Sequence, residues 1–481
     1  MDIKNFINNE EQIPLSGFWL DNYEPASGTI YGEIPNSNED DVEKAYQAAK
    51  AAFPSWSNTS IDERSKIMLR IADLIEENLG ALAAAESRDN GKPVWLAQAV
   101  DIPRASSNFR FYGHAITQYA TKAHESVGKN TMNYTIRKPI GVVGCISPWN
   151  LPLYLFTWKI APAIAAGNCV VAKPSEVTPA TAYLLGEIVE KAGLPAGVLN
   201  IVHGNGASCG QAIVAHPDIK AISFTGGTTT GAHIARTAAP MFKKLSLELG
   251  GKNPNLIFAD CDYDKMLDTT VRSSFANQGQ ICLCGSRIFV QQEIYERFKT
   301  DFVDRVKNLR VGHPDQSSTK VGAVVSAGHR EKIEEYLAFA KAEPENYRIL
   351  TGGNRVIVKE YEKGYYLEPT VIEVSSNDCK LNQEEIFGPV VTIMPFTDEA
   401  HALELANGTK YGLSATLWTN DLSRTMRMTQ EIEAGIVWVN TWLNRDLRTP
   451  FGGVKDSGVG REGGFEALDF FTEPKNVCIE Y

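Results

Sequence analysis

The sequence predicts an α/β protein, with a parallel-sheet domain followed by a second α/β domain. Two observations carry that expectation. From Ile140 to Leu247, short apolar, β-branched runs alternate with helical segments. After Gly251 a second alternation of the same kind begins. Strand, helix, strand at this spacing reads as βαβ units, whose strands lie parallel. The length of 481 residues agrees, because about 150 residues per domain gives two or three domains.

Taken in order, the N-terminal third is helical. Ala45, Tyr46, Ala49, Ala52 and Phe53 recur after Val42 at the spacing of one helix face. Ser37, with Asp40 three residues on, is the expected cap. A second helix is expected from about Ile61 to Ala85. The strands expected next are Ile140–Ile146, Cys169–Ala172, Val198–Val202 and Ala221–Phe224. A helix from about Thr178 to Ala192 stops at Gly193, with Pro195 beyond. In the second half, Asn255–Phe258, Ser286–Gln291, Val390–Pro395 and Ile436–Asn440 read as strands. Helices are expected near Asp262–Asn277 and Glu293–Asn308.

Composition narrows the function. A formal net charge of -11 argues against a general nucleic-acid binder, which needs a basic surface. The chain opens on a polar, acidic stretch from Met1 to Glu11, with no apolar core of a secretory signal. The longest apolar run, Ile160 to Ala172, is broken by Pro162, Gly167 and Asn168 and is too short for a bilayer. Eight cysteines over this length make no disulfide framework, so a reducing, cytoplasmic setting is expected. The eight histidines show no metal-ligand spacing; no metal site is expected.

Several short segments carry chemistry. Gly204-Asn205-Gly206 follows a strand, but Cys209 holds the position where a strict dinucleotide fingerprint needs glycine. A second turn runs from Phe224 to Gly231 between strand and helix, where glycine lets a phosphate approach the helix N-terminus. Lys173 and Glu176 follow a strand and suit the two hydroxyls of a ribose; a carboxylate there disfavours a 2′-phosphate. In Gln278-Gly279-Gln280-Ile281-Cys282-Leu283-Cys284 either cysteine could be a nucleophile; the remaining six read as buried apolar residues. Glu248 is one acid in an apolar run, where a raised pKa suits a general base. Its bland alternative is a pair with Lys252. Asn150, after Ser147-Pro148-Trp149, could donate to an oxyanion.

Together, and in this order, these segments resemble the aldehyde dehydrogenase family from Ala52-Phe53 to Glu473. Glu384-Glu385-Ile386-Phe387-Gly388-Pro389 and Pro450-Phe451-Gly452-Gly453 add to the match. The resemblance implies roles. Cys282 is the expected nucleophile, Glu248 the base, and Asn150 with the Cys282 N–H the oxyanion hole. Lys173, Glu176, Gly226, Gly231, Glu385, Phe387 and Trp149 are expected around NAD. The expected chemistry is oxidation of an aldehyde through a Cys282 thioester, followed by hydrolysis.

Within the family, the stretches Asp101–Phe111 and Trp442–Phe451 resemble the branch that oxidises muconate semialdehydes, which the resemblance places in tryptophan catabolism through kynurenine. Arg104 and Arg445 are the expected anchors for a substrate carboxylate, since a guanidinium matches it with forked hydrogen bonds. Trp158 and Phe451 are expected as apolar walls. Arg448 and Arg110 are the rival arginines, and surface ion pairs are the rival role. The resemblance implies 2-aminomuconate 6-semialdehyde as the expected substrate, with 2-hydroxymuconate semialdehyde or another carboxylated aldehyde as the alternative, since one amino or hydroxyl group leaves no readable difference in the sequence. A cationic aldehyde would meet arginine, and a long apolar one would leave the charges unpaired. Two other classes are the rivals: a thiol esterase working without NAD, and a silent structural protein, against which Cys282, Glu248 and Asn150 are all present.

The resemblance also implies an architecture: a Rossmann-like NAD domain over 1–113 and 139–250, a catalytic domain over 251–450, and a small β oligomerisation arm and tail over 114–138 and 451–481. The expected partners are a small carboxylated aldehyde and further copies of the chain, as homodimer or homotetramer, with neither nucleic acid nor membrane.

Overall fold

The computed structural model describes residues 1–481. Two twisted sheets hold most of the strands, and a third, smaller sheet stands apart from both.

The first sheet has a parallel interior. Its strands run Leu199–Ile201, Cys169–Lys173, Val142–Ile146, Ala221–Thr225, Lys244–Glu248 across the sheet. In chain order that is 3-2-1-4-5, so the order of strand addition reverses between the parallel Val142–Ile146 and Ala221–Thr225 strands. A crevice opens at the carboxyl ends of the two strands flanking such a switch. Ser147–Asn150 and Gly226–Gly227 follow those two ends. The largest apolar core packs this sheet against its helices. The Pro152–Ala165 helix is buried along its whole length, with Pro152 at its start, where a missing N–H costs nothing.

The second sheet orders Tyr347–Thr351, Thr370–Val374, Val390–Phe396, Arg287–Gln291, Pro254–Ile257, Ser414–Trp418, Ile436–Val439. All pairs but the first are parallel. The third sheet pairs the tail strand Thr472–Glu480 with Thr131–Pro139, and that strand with Ala123–Ser126. No helix is long and apolar enough to cross a membrane.

Several sequence expectations need correction. The first helix, Glu39–Asn58, is capped by Asn38, not Ser37: Asn38 Oδ1 accepts from the Asp40 and Asp41 N–H groups, and Asp41 returns a bond to the Asn38 N–H. The expected Ile61–Ala85 helix is two, Ile61–Glu77 and Leu79–Asn90, divided at Asn78. Asn78 bends back to donate to Leu74 O at 2.8 Å. The helix Ile102–Ala115 runs past His114, so the hairpin begins only at Ala123. The C-terminal stretch divides as well: Gly458–Val459 pairs antiparallel with Leu247 and Glu248 on the first sheet before the tail strand leaves for the third. Of the six cysteines read as buried, Cys145, Cys169 and Cys209 are; Cys261 and Cys379 are half-buried and Cys478 is exposed. Cys478 lies on the tail strand, whose other edge carries no partner strand.

Candidate active site

Cys282 sits where a backbone of unusual conformation ends. Asn277, Gln278 and Gly279 are three consecutive left-handed residues, with φ of 51°, 57° and 71°. Non-glycine residues pay for that conformation, and the turn is pinned on all sides. Gln278 Nε2 donates to Ala323 O (3.0 Å), Gln280 Oε1 accepts from Val325 N (3.1 Å), and Asn277 Nδ2 donates to Asn150 O (2.8 Å). Gly279 has no alternative, since a Cβ would overlap the Gly388 carbonyl. Asn253 Nδ2 then holds the carbonyls of Cys282 (2.7 Å) and Cys284 (2.9 Å). The Cys282 N–H makes no hydrogen bond within the protein.

Cys282 and Cys284 are separated by placement. Cys282 lines the crevice at the switch point and also an apolar chamber on its other side. Cys284 lines neither. Burial pushes the Cys282 thiol well up, the Glu385 and Glu248 carboxylates push it further, and Arg445 offsets part of the rise.

Asn150 is buried at the carboxyl end of the Val142–Ile146 strand. Its carbonyl is clamped by Asn277, by Lys92 Nζ (3.3 Å) and by Asn90 Nδ2 (3.4 Å). Its side-chain Nδ2 donates to Gln280 O at 3.0 Å, just before Cys282. An amide nitrogen has two protons, so one remains for a ligand. Lys92 is itself fully buried between Glu86 (3.3 Å) and Asp101 (3.2 Å).

Glu248 ends the Lys244–Glu248 strand. Both of its oxygens are buried without a hydrogen-bond partner. Burial raises its pKa well above the carboxylate range, and the nearby Glu462 raises it further. It makes no pair with Lys252, the bland alternative. Behind it Lys159 Nζ binds Glu462 at 2.8 Å, and Ser223 Oγ bonds to both (3.1 and 2.8 Å). A side chain at Gly452 would press on Glu248 Oε1 (2.8 Å), so that glycine leaves the carboxylate its room.

The switch-point crevice has a volume of about 250 Å³ and is lined by Trp149, Thr225, Gly226, Gly227, Glu385 and Phe387 among others. A Cβ on Gly226 would strike the Phe224 ring, and nothing lies within 4 Å of one on Gly227. Open backbone thus faces outward at the start of the Thr228–Ala238 helix, in whose first turn Gly231 lies. Glu385 Oε1 accepts from Gly251 N (2.8 Å), and burial raises its pKa. Phe387 takes φ of 62° and meets Trp149 edge-on at 5.2 Å. His329, pushed down to about 4 by burial and so neutral, donates to the Phe387 carbonyl at 2.7 Å. Lys173 and Glu176 pair at 3.0 Å on the neighbouring strand end, outside the crevice wall.

The apolar chamber brings together Arg104, Tyr154, Trp158, Glu248, Arg445 and Phe451. Arg445 lies over the rings of Phe451 (4.2 Å) and Trp158 (4.6 Å) and bonds to the Tyr154 hydroxyl. Arg104 lies over Tyr154 at 5.5 Å and reaches the Leu443 carbonyl at 3.5 Å. Neither arginine has an acidic partner. The rivals do: Arg110 binds Asp73 (3.0 Å) and Glu76 (2.9 Å), and Arg448 binds Asp446 (2.6 Å). No group of His, Cys, Asp or Glu side chains is placed to hold a metal.

Sequence reading missed Asn253, Asn277, Lys92, Lys159, His329 and Glu462. Asn277 immediately precedes the Gln278–Cys284 motif. The Lys159–Glu462 pair spans 303 residues and left no local signal.

A thiol, a carboxyl and an amide donor thus meet between an open crevice and a chamber with unpaired arginines. A thiolate adds to carbonyl carbon, and the donors suit a developing oxyanion. The aldehyde dehydrogenase family model matches residues 16–477, and the chain belongs to that family. It is 47% identical to the 2-aminomuconic semialdehyde dehydrogenase of Bos taurus, over 100% of this chain and 98% of that protein. It is 44% identical to the 2-hydroxymuconic semialdehyde dehydrogenase of Pseudomonas sp. (strain CF600), over 100% and 99%. Its fold matches the crystal structure of the Staphylococcus aureus betaine aldehyde dehydrogenase in complex with NAD+, with a TM-score of 0.96 and 36% identity over 99% and 95% of the two chains.

Proposed function

We propose that this chain oxidises a muconate-type semialdehyde, one bearing a carboxylate away from its aldehyde, to the corresponding acid with NAD. The amino compound is the first reading, given the 47% identity to a protein named for it; the hydroxy compound is the second, given the 44% relative. The observation that carries the proposal is the chamber shared by Cys282 and two arginines without acidic partners. A semi-buried cation left unpaired is costly, and a substrate carboxylate would remove that cost.

NAD fits the crevice. Gly226 and Gly227 leave room for pyrophosphate at a helix start, Lys173 and Glu176 suit the adenosine ribose, and Glu385, Phe387 and Trp149 surround the space beside Cys282. When bound, NAD supplies the hydride acceptor. Arg445 and Arg104 grip the carboxylate, and Trp158 and Phe451 wall the planar chain. The Cys282 thiol gives up its proton to water and Sγ bonds to the aldehyde carbon. Asn150 Nδ2 and the Cys282 N–H then hold the oxygen; one such donor contributes about 3 kcal/mol to lowering a barrier. Loss of hydride from that carbon leaves a thioester on Cys282. Glu248 takes a proton from water, the hydroxide attacks the thioester, the C–S bond breaks, and the acid departs.

The assembly we propose is a homodimer or homotetramer. The open edge of Thr472–Glu480 suits pairing with a second copy across a two-fold axis. A reducing, cytoplasmic setting suits eight free thiols.

The test is NAD reduction with 2-hydroxymuconate semialdehyde beside a neutral dienal of similar length, repeated with NADP. The expected kcat/KM is at least about tenfold higher for the carboxylated aldehyde, corresponding to 1.4 kcal/mol, and higher with NAD. Equal use of both aldehydes would sink the substrate assignment and leave the family chemistry intact.

A further inference from the structure

Beside the reaction chamber lies a larger cavity of about 430 Å³, with Arg104, Ile281 and Leu443 lining both. Its lining is mostly apolar, yet it carries three cations: Arg104, Arg272 and Lys320. None is in an ion pair; each lies over a ring instead, Arg272 over Trp442 (5.8 Å), Lys320 over Trp95 (5.1 Å) and Arg104 over Tyr154 (5.5 Å). The one acid on the wall, Asp268, is already bound to Arg305 at 2.6 Å. The two tryptophans have no hydrogen-bonding need left either: Trp95 Nε1 donates to Thr319 O and Trp442 Nε1 to Leu283 O, both at 2.8 Å. What the walls offer a visitor is therefore flat apolar surface and positive charge.

Exposure grades inward. Arg272 and Lys320 are exposed at the outer wall, Arg104 is half-buried between the two cavities, and Arg445 is half-buried in the chamber beyond. A low-dielectric funnel lined by one sign of charge concentrates the opposite ion and speeds its entry. We infer that Arg272 and Lys320 form an outer capture subsite for planar monocarboxylates, handing the carboxylate to Arg104 and then Arg445. This rests on the carboxylated-substrate reading above and adds to it a route and two specificity-determining residues that touch no reacting atom.

The probe is hexa-2,4-dienoate, a planar carboxylate with no aldehyde, beside the neutral hexa-2,4-dien-1-ol. Association is followed by stopped-flow quenching of tryptophan fluorescence at several salt concentrations. For the wild type, dienoate association should slow steeply as salt rises, because the Debye length shortens to about 10 Å at 0.1 M. In Arg272→Gln/Lys320→Gln the low-salt rate should fall about fivefold or more and its salt dependence should flatten, with dienol unaffected. Arg272→Lys/Lys320→Arg should restore the rate, which a purely structural role for these side chains would not require. An unchanged rate and salt dependence in the Gln pair overturns the capture subsite. So does a loss that affects dienol equally. Failure of the substrate reading looks different: the wild type would turn over neutral and carboxylated aldehydes alike, whatever the capture rates.

Discussion

Replacing Cys282 with serine should lower kcat on the order of 10⁴-fold or more, while NAD binding changes little. Serine keeps the shape but not the acidity, and a hydroxyl this close to Glu385 and Glu248 has no path to an anion. The same exchange at Cys284 should cost far less. Cys284 faces neither the crevice nor the chamber, and its N–H bond to Ile281 O survives the substitution. Steady-state rates, with NAD binding by fluorescence as the control, decide the matter. Loss of turnover in Cys284→Ser with retention in Cys282→Ser would reverse the assignment. The wild-type first turnover should also quicken as pH rises, because the free thiol is held protonated by burial and by two carboxylates.

Glu248→Gln should separate the two halves of the reaction. The first turnover needs thiolate and oxyanion donors, which the variant keeps, so a burst of about one reduced NAD per site should appear. Hydrolysis then lacks its base, and the steady rate should fall about 10²–10⁴-fold. The pH dependence has a defined sign. Only ionised Glu248 can take a proton, and its pKa is raised by burial and by Glu462. Wild-type turnover should therefore fade as pH drops through a value above the ordinary carboxylate range, not within it. That acid limb should vanish in Glu248→Gln. Rapid-quench or stopped-flow traces across pH read both effects. A variant with a wild-type steady rate, or one that keeps the acid limb, would remove Glu248 from the hydrolytic step.

Much of this site was legible before any coordinates, for reasons that vary by residue. The βα turns announce themselves because buried parallel strands must be apolar and must end in turns, so Asn150 and Gly226 fall at strand ends with only small boundary errors. Choosing Cys282 over Cys284 needed the resemblance, and the structure adds a physical reason: consecutive left-handed residues aim one cysteine into the cavities. The arginines were less legible. Arg110 lies in the same Asp101–Phe111 stretch as Arg104, and only the neighbouring helix, with Asp73 and Glu76, distinguishes them. Arg448 differs: its partner Asp446 is two residues away, so its pairing was open to local reading. Long-range closure left no local trace. The Gly458–Val459 strand is two residues long, too short for any periodicity, yet it brings Glu462 to Lys159 behind Glu248. The insertion of Ser414–Trp418 between Pro254–Ile257 and Ile436–Val439 likewise depends on sheet order, which no window of sequence contains.

In the proposed function, Arg445 gives this site its preference for a carboxylated aldehyde. The most direct measurement compares kcat/KM for 2-hydroxymuconate semialdehyde and for a neutral dienal, in the wild type and in Arg445→Ala. Losing a charge-paired arginine typically costs about 2–5 kcal/mol, so the variant should lose roughly 30-fold or more on the carboxylated substrate and little on the neutral one. Arg104→Ala should show the same selectivity to a smaller degree. If Arg445→Ala lowers both aldehydes equally, or neither, the arginine anchor is wrong and the chamber recognises something other than a carboxylate.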